Sequence, residues 1–498
     1  MTDLLLGVDI GTSSSKGVLT RVDGTIVAST QRAHALSLPQ AGWAEHDAEA
    51  VWWADFVAIS RELVDGAHGR IVGVGVSGIG PCLLPVDEAG RALRPAILYG
   101  IDTRATREIA ELTERFGEAR ILARCGSLLT TQAVGPKLAW LRRNEPDVWA
   151  RTRRFLMASS FLVERLTGAY VLDHHSASQC DPLYDLRGEC WIQEWADEVA
   201  PGLELPRLLW PSETAGSVTP TAAALTGIPV GVPVVAGTID AWAEALSVGV
   251  RKPGDMMLMY GTTMFMVLVA ADLVPRAPLW STAGVFPATQ TLAAGMATSG
   301  ALTGWFRSLV GDPPFERLVA EAAATAPGAN GLVVLPYFAG ERSPIFDPAA
   351  RGAILGLTIA HSRGHIYRAL LEGTAYGVRH NLEAMAEAGA SPRRIIAVGG
   401  GLQGALWPRI VSDVTGRTQM VPVETIGAAY GDALLAAIGT GLTDPATDWS
   451  QPAEIVEPDQ ARSGQYDELY AIYRELYPAT RDAAHKLTVL QEGAGRAD

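Results

Sequence analysis

The chain opens with LLLGVDIGTSSSKGVLTR (residues 4–21), in which two apolar runs flank a turn of small residues. We predict a strand over Leu4–Ile10 and a second strand over Gly17–Arg21, because both runs are short and bounded by turn formers. Asp23-Gly24 favours a tight turn into a third strand over Thr25–Thr30. These residues are therefore expected to form an antiparallel meander.

The turn between the first two strands has the composition of a phosphate-binding loop. Glycines and small hydroxyl residues can point backbone N–H groups and hydroxyls into one concavity that suits a phosphate group. Asp9, at the end of a strand, would orient Mg²⁺ through water, since Mg²⁺ usually keeps several waters. The alternative is an ordinary hairpin with a serine-rich loop, because Ser, Thr and Gly also form plain turns. The candidate phosphate-binding residues are Gly11, Thr12, Ser13, Ser14 and Lys16.

A second strand-turn-strand cycle follows the middle of the chain. Strands are predicted over Asp255–Tyr260 and Met264–Ala270, joined by the turn Gly261-Thr262-Thr263. This repetition favours phosphate binding by both turns and indicates two structurally related halves. We place their boundary near residues 245–252, beside the turn-forming cluster Arg251 to Gly254. The expected organisation is one domain over residues 1–247, a second over 248–485 and a frayed tail over 486–498.

Between these cycles strands alternate with helical patterns, which is typical of an α/β protein. One segment, GVGVSG (residues 73–78), matches the spacing of a dinucleotide-binding fingerprint. That fingerprint requires glycines that open a helix after a strand, whereas these glycines lie inside the apolar run itself. We therefore interpret them as part of a strand with close backbone approach or as a loop at its end.

Composition excludes several classes of function. The 498 residues are 48% hydrophobic and 19% charged, which is the balance of a globular protein with large buried cores. A formal net charge of −14 disfavours nucleic acid and anionic lipid as partners. No apolar stretch reaches the ~18 residues of a membrane span, and four scattered cysteines indicate neither a disulfide framework nor a zinc site. We expect a cytoplasmic protein.

Several motifs, taken in order, resemble the FGGY family of carbohydrate kinases, and within it the xylulokinases. The first turn is similar to the family's D-x-G-T-S pattern, and residues 42–53 to its G-W-x-E-x-D…W-W stretch. Residues 94–104 resemble R-P-A-I-L…D-x-R, residues 336–344 resemble P-Y-x-x-G-E-R-x-P, and residues 352–372 fit the second family signature. The first signature agrees only over Lys137–Asn144.

The resemblance implies two ribonuclease-H-like domains of the actin, Hsp70 and hexokinase type, with an active-site cleft between them. It also implies transfer of the γ-phosphate of ATP to a sugar, with Mg²⁺ as cofactor. Asp240, in the family's G-x-x-D segment, would be the catalytic base, although an Asp just before a helix is also a favoured N-cap. The resemblance places ATP on Gly300 and on the glycine-rich segment Gly400, Gly401, Leu402 and Gln403, with a glycine-rich helix start as the alternative.

The preferred sugar is less well defined by the sequence. D-xylulose is the first expectation, with ribulose, another ketose, glycerol or erythritol as alternatives. Xylulokinases carry a Q-M-H segment that lines the sugar pocket, and this chain has Ile79, Gly80 and Pro81 there. Losing the Met-His pair removes a hydrogen-bonding group and volume, so the accepted hydroxyl pattern can change. Asp102 is a further candidate for sugar binding, with an ion pair to Arg104 on a surface loop as the alternative.

Two other classes of function remain as alternatives at this point. One is a nucleotide-gated protein of the actin or Hsp70 kind, and the other is a sugar sensor without catalysis. The presence of both Asp9 and Asp240 disfavours the sensor. The expected partners are ATP and a small ketopentose or polyol, and a homodimer is an open possibility.

Overall fold

A computed structural model describes residues 2–402, 404–422, 425, 427–450 and 452–494. The strands run in chain order as follows: β1 (Thr2–Ile10), β2 (Ser14–Arg21), β3 (Ile26–Ala33), β4 (Glu45–His46), β5 (Gly69–Gly78), β6 (Leu84–Val86), β7 (Ala96–Ile97), β8 (Arg154–Leu156), β9 (Val171–Asp173), β10 (Tyr184–Asp185), β11 (Cys190–Trp191), β12 (Arg207–Leu209), β13 (Thr214–Ser217), β14 (Pro233–Val235), β15 (Thr238–Ile239), β16 (Asp255–Tyr260), β17 (Met264–Ala270), β18 (Trp280–Ala283), β19 (Gln290–Met296), β20 (Val333–Leu335), β21 (Ala353–Leu355), β22 (Arg394–Val398), β23 (Gln419–Pro422) and β24 (Pro452–Val456).

The α-helices are α1 (Ala54–Asp65), α2 (Thr106–Phe116), α3 (Glu118–Cys125), α4 (Val134–Asn144), α5 (Pro146–Arg151), α6 (Ala158–Thr167), α7 (His174–Ala177), α8 (Gln193–Val199), α9 (Pro220–Thr226), α10 (Asp240–Ser247), α11 (Gly300–Leu309), α12 (Phe315–Ala323), α13 (Arg363–Glu387), α14 (Leu406–Thr415), α15 (Ala428–Gly439) and α16 (Ser463–Ala494). A π-helical segment (Ala48–Trp53) precedes α1, and short 3₁₀ turns occupy Gly400–Leu402 and Gln460–Arg462.

The chain divides into two compact units, each built from separate stretches of sequence. Unit 1 contains residues 1–251, 280–291 and 426–450, and unit 2 contains the remainder. The sequence led us to expect two contiguous domains instead, with a boundary at 247/248. The two divisions differ because the later stretches pack with unit 1; in particular, α15 packs on β1 and β5.

Unit 1 is organised around a mixed sheet with the strand order β13-β14-β5-β1-β2-β3, in which β15 also pairs with β5. The opening strands β1, β2 and β3 form the antiparallel meander expected from the sequence. By contrast β5 runs parallel to β1, β14 and β15. The segment GVGVSG lies inside β5, as predicted, and Gly75 in that strand faces the backbone of α15 directly.

Unit 2 repeats the same principle with its own mixed sheet, in the order β19-β17-β16-β22-β23-β24. The antiparallel pair β16 and β17 has the bounds predicted from the sequence, Asp255–Tyr260 and Met264–Ala270. Strand β22 pairs with β16 in parallel, and its carboxyl end leads into the glycine-rich segment. The unit therefore has a strand-turn-strand start beside a parallel strand, as unit 1 does.

The tail expected over residues 486–498 is helical as far as Ala494, because α16 continues through it. The Thr488 hydroxyl donates a hydrogen bond to the Ala349 carbonyl, and the His485 ring lies 2.7 Å from the Asp347 carboxylate. These contacts hold the end of α16 on unit 2, and the sequence QEGAGRAD gives no sign of them. Within the described ranges, no helix combines the length and apolarity needed to cross a membrane.

Candidate active site

Residues from three parallel strands meet at one edge of the unit 1 sheet. Asp9 near the end of β1 is in register with Ser77 on β5, and Ser77 is in register with Thr238 on β15. Asp240 follows β15 directly, as the first residue of α10. Ligands of α/β proteins bind outside the carboxyl ends of such strands. This edge is therefore the candidate active site of unit 1.

The site is rich in carboxyl groups that raise one another's pKa. Burial raises the pKa of Asp9 to about 6, although Ser77, Lys16 and His34 act in the opposite direction. The pKa of Asp240 lies well above its ordinary range because of burial and of the neighbouring charges of Asp9 and Glu244. Excess negative charge at a strand end of this kind attracts cations.

Asp240 is not the N-cap that the sequence alternative proposed. The N-cap of α10 is Ile239, whose side chain makes no capping hydrogen bond, and Asp240 occupies the first helical position. Its Oδ1 atom accepts a hydrogen bond from the N–H of Ala241 at 2.7 Å. The second carboxylate oxygen takes no part in this hydrogen bond, and the residue is only partly buried.

The predicted phosphate turn is tight and partly exposed. The Gly11 N–H donates to the Ser14 carbonyl at 3.0 Å, and the Thr12 hydroxyl lies 3.0 Å from the Tyr99 hydroxyl. Ser13 is exposed, while Thr12, Ser14 and Lys16 are partly exposed. Strand β2 begins at Ser14, earlier than the sequence suggested, so Ser14 and Lys16 belong to the strand. Lys16 is paired in register with Asp9.

A second layer of side chains fixes the shape of this turn. The Ser15 hydroxyl donates to Asp55 at 2.7 Å, and Asp55 also lies 2.8 Å from Nδ1 of His34. The other ring nitrogen of His34 is 3.1 Å from the Gly11 carbonyl. The turn is thus attached through side chains to α1 and to His34, the residue after β3, as well as through its own backbone.

The segment Ile79 to Pro81 lies beside the candidate base. A Cβ atom placed on Gly80 would lie 2.7 Å from the Ile239 side chain, which immediately precedes Asp240. Ile79 is almost fully buried, and the adjoining Cys82 is fully buried. Burial raises the pKa of that cysteine thiol, and the nearby charge of Asp240 adds a smaller effect in the same direction. The pocket segment singled out from the sequence is therefore adjacent to Asp240.

Asp102 makes the ion pair that the sequence offered as the alternative, but in the interior rather than on a surface loop. Its carboxylate accepts hydrogen bonds from the Arg104 guanidinium at 2.7–3.0 Å and from the Ala44 N–H at 2.7 Å. The Arg104 side chain is fully buried and lies 3.9 Å from the ring centroid of Trp43. Both oxygens of Asp102 are thus occupied within the protein.

The nucleotide-binding residues predicted for the second half come together inside unit 2. The N–H of Gly300 donates to the Gly261 carbonyl at 2.9 Å, and the N–H of Ala301 donates to the Thr262 carbonyl at 3.0 Å. The start of α11 is therefore fastened to the turn Gly261 to Thr263. A Cβ atom on Gly300 would lie 2.6 Å from the Gly261 carbonyl oxygen, so only glycine allows this approach.

The glycine-rich segment adjoins the same turn. A Cβ atom on Gly401 would lie 2.9 Å from that of Tyr260, the residue before Gly261. Gly400 has open space on that side, and Gly400 to Leu402 form a 3₁₀ turn after β22. Gln403, the last residue of the predicted set, lies outside the described residues. Unit 2 therefore gathers a turn, a helix start and a glycine-rich segment in one place.

In the ranges that the structure describes, no three His, Cys, Asp or Glu side chains are grouped closely enough to hold a metal ion. The adjacent histidines His174 and His175 make other contacts, since their Nδ1 atoms lie within hydrogen-bonding distance of the Tyr184 hydroxyl and the Ala283 carbonyl.

Family models match both halves of the chain. The FGGY family of carbohydrate kinases has an N-terminal-domain model that matches residues 4–247 and a C-terminal-domain model that matches residues 256–440. The chain belongs to this family. The protein is therefore a sugar phosphotransferase with the family's two-domain α/β fold, and its membership implies ATP as a substrate.

This kinase is similar over nearly its whole length to proteins named for particular sugars. It is 29% identical to a xylulose kinase of Bacillus subtilis, covering 96% of this chain and 97% of that one. The crystal structure of xylulose kinase from Rhodospirillum rubrum is 32% identical, with a TM-score of 0.91 and coverage of 97% and 100%. A glycerol kinase of Nocardia farcinica is 30% identical, covering 90% of this chain and 93% of that one.

Sequence reasoning missed two polar residues at the core of the kinase's carboxyl cluster. Ser77 stands at the end of an apolar strand, and Asp432 lies in the otherwise apolar helix α15; both are fully buried. The Ser77 hydroxyl lies 3.0 Å from Asp9 and 2.7 Å from Asp432. The sequence carried one signal, because an Asp in a helix of alanines and leucines is expected to be paired or hydrogen-bonded.

Proposed function

We propose that the protein is a xylulose kinase, which transfers the γ-phosphoryl group of ATP to D-xylulose to give D-xylulose 5-phosphate and ADP. The observation that carries this proposal is the position of Asp240, which follows a parallel strand beside Asp9 and next to the pocket segment Ile79 to Pro81. The relatives named xylulose kinase support the choice of sugar.

Asp240 is proposed as the general base. Its free carboxylate oxygen would accept the proton of the attacking sugar hydroxyl while the oxygen of that hydroxyl bonds to the γ-phosphorus. Burial and nearby negative charge raise the pKa of Asp240, so the group has a greater affinity for that proton than an exposed aspartate. The base must be ionised before it can act, which requires cationic neighbours.

The residues present fit a magnesium ion held through water. Oδ1 of Asp9 is hydrogen-bonded to the Ser77 hydroxyl. Its Oδ2 atom faces the phosphate turn, since it lies 3.9 Å from the place where a Cβ atom on Gly11 would be. Mg²⁺ usually takes one or two protein carboxylates, keeps several waters and, with ATP, neutralises phosphate charge. Asp9 would hold it in this way, while the turn N–H groups and Lys16 bind phosphate oxygens.

Unit 2 is proposed to bind the rest of the nucleotide. The Gly261 to Thr263 turn is of the kind whose backbone N–H groups bind phosphates, and the start of α11 holds it in place, because the Gly300 and Ala301 N–H groups donate to that turn. Gly400, Gly401 and Leu402 would lie against the adenosine, since glycines let the backbone approach a flat ligand closely. We propose a cytoplasmic location, because all four cysteines are free, as is usual in a reducing compartment.

Another ketose or a polyol is the second candidate substrate. The relative named glycerol kinase favours it, and so does the pocket segment, which offers Ile79 and Pro81 rather than hydrogen-bonding side chains. The homodimer stays a prediction, which sedimentation of the purified protein would test.

A coupled ADP-release assay tests the proposal with D-xylulose, D-ribulose, glycerol, erythritol and gluconate, each against a sample without sugar. We expect D-xylulose to give the largest kcat/KM and ³¹P NMR to show phosphate on O5. Asp240→Asn should lower kcat by ~10²-fold or more with nucleotide binding kept, the scale of a positioned base. Asp23→Asn, at an exposed hairpin, is the matched control.

Three results would overturn parts of this proposal. A preference for another sugar would refute only the choice of D-xylulose as the substrate. Sugar-independent hydrolysis would support a nucleotide-gated protein, and near-normal turnover of Asp240→Asn would remove Asp240 as the base.

A further inference from the structure

Asp432 is a buried carboxyl group with no role in the proposed chemistry. Its helix, α15, lies directly on the sheet: Cβ atoms on Gly7 and Gly75 would each come within 1.9 Å of a helix carbonyl oxygen. This close packing lets the short side chain of Asp432 reach Ser77 on β5, at 2.7 Å. The residue is fully buried, and its Oδ1 atom has no hydrogen-bond partner among the residues that the structure describes.

The hydrogens at Ser77 can be counted. Its oxygen lies within hydrogen-bonding distance of a carboxyl oxygen of Asp9 and of one of Asp432. A serine hydroxyl has a single hydrogen to donate. If both carboxyl groups were ionised, the Ser77 oxygen would lie against one of them with no hydrogen atom between the two acceptors. In a buried site such a contact costs much free energy. One of the two carboxyl groups therefore holds a proton and donates it to Ser77.

The surroundings identify Asp432 as the protonated partner. Asp9 is paired in register with Lys16 and keeps 8% of its surface exposed at the strand end, so a cation and water stabilise its ionised form. For Asp432, burial is the largest cause that raises the pKa well above its usual range. The charges of Asp9 and Asp240 raise it further, and only the hydrogen bonds with Ser77 lower it.

We propose that Asp432 is a positioning residue for phosphoryl transfer. Its protonated carboxyl donates to the Ser77 oxygen, and the Ser77 hydroxyl in turn donates to Oδ1 of Asp9. This directed chain keeps Asp9 ionised and oriented, with Oδ2 on the side of the Gly11 turn. The inference rests on the proposed role of Asp9 in holding Mg²⁺.

The proton on Asp432 can be tested without any enzyme activity. Infrared difference spectra between the wild type and Asp432→Asn, with ¹³C-labelled aspartate at neutral pH, should show the C=O stretch of a protonated carboxyl group. Absence of that band, with only the carboxylate bands in its place, would overturn the proposal. This measurement stands even if the wild type phosphorylates none of the sugars, an outcome that would refute the proposed function instead.

Kinetics then test the positioning role. Asp432→Ala should lower kcat and raise the Mg²⁺ concentration for half-maximal rate, together by about tenfold, the effect of losing a hydrogen bond to a charged network. Asp432→Asn should recover most of this loss, because its amide can donate to Ser77. Adding Asp432→Ala to Ser77→Ala should cost little more than Ser77→Ala alone, since both act through one chain.

Two controls separate positioning from folding and from charge. Tyr430→Phe removes a hydrogen bond from the same helix to the Gly24 carbonyl, and it should leave the Mg²⁺ dependence unchanged. Asp432→Asn should also leave the acid limb of the kcat/KM pH profile in place, because it replaces a neutral group. A shift of that limb to lower pH, or Asp432→Ala with wild-type Mg²⁺ dependence, would refute the proposal.

Discussion

Replacing Gly75 with alanine tests the contact on which the Asp432 arrangement depends. The new Cβ atom would lie 1.9 Å from the Asp432 carbonyl oxygen and 2.6 Å from its carbonyl carbon. An ordinary non-bonded contact needs ~3.5 Å, so α15 would have to retreat from β5 by about 1.5 Å. The atoms in the way belong to the backbone, and no side-chain rotation can relieve the overlap.

The expected cost is about 1–3 kcal/mol, the usual range for overpacking. For a chain of this size, with an unfolding entropy of ~2.1 cal/mol/K per residue, it corresponds to a Tm lower by roughly 1–3 °C. The displacement would also lengthen the 2.7 Å contact between Asp432 and Ser77, so kcat should fall at temperatures where the variant is still folded.

Differential scanning fluorimetry and initial rates at one low temperature measure both effects. Gly66→Ala is the matched control in the same unit, because its new Cβ would make only an ordinary 3.4 Å contact with the Glu62 carbonyl oxygen. We expect its Tm to stay near that of the wild type. If Gly75→Ala behaved like Gly66→Ala, α15 would not lie directly on β5, and the reasoning about Asp432 would fail with it.

Three further changes address other parts of the molecule. Asp102→Asn should lower stability by about 3–5 kcal/mol, since it breaks a buried ion pair, with the KM for sugar unchanged; a raised KM at wild-type Tm would instead show substrate contact. Gly300→Ala should raise the KM for ATP about tenfold without affecting that for sugar, because its Cβ would displace the Gly261 turn; equal changes in both KM values would contradict this. Burial raises the pKa of Glu341 to about 8 from an ordinary 4.5. The folded state binds this proton more tightly than the unfolded state, so the stability of the fold decreases as the pH rises between these two values. Glu341→Gln should therefore show a smaller fall of Tm between about pH 5 and 8 than the wild type, and parallel Tm curves would refute the assignment.

Local sequence was enough to predict most of the elements that carry the site. The two strand-turn-strand starts have short apolar runs and unmistakable turn residues, and Asp9 stands near the end of the first of these runs. Asp240 stands just before a helical pattern. The strand β5 was found because its glycines lie within an apolar run rather than ahead of a helix. The family motifs added the roles of these residues.

Long-range packing explains what the sequence did not reveal. Ser77 and Asp432 are 355 positions apart, and no local pattern states that α15 rests on β5. Asp102 was ambiguous because only tertiary structure shows that Arg104 is buried against Trp43. The end of α16 was misjudged for the same reason, since its helical form depends on contacts with Asp347 and Ala349.

The discontinuous make-up of unit 1 affects how the protein is made. Leu5 and Val18 pack against Ala429, Ala433 and Ala436 of α15, which leave the ribosome only after most of unit 2 has been synthesised. At translation rates of about 5–20 residues per second, the apolar side chains of Leu5 and Val18 stay uncovered for roughly 20–80 s. A nascent chain stalled before residue 426 should accordingly bind chaperones through the bare face of β1 and β5, and truncation there should yield aggregates rather than a folded N-terminal fragment.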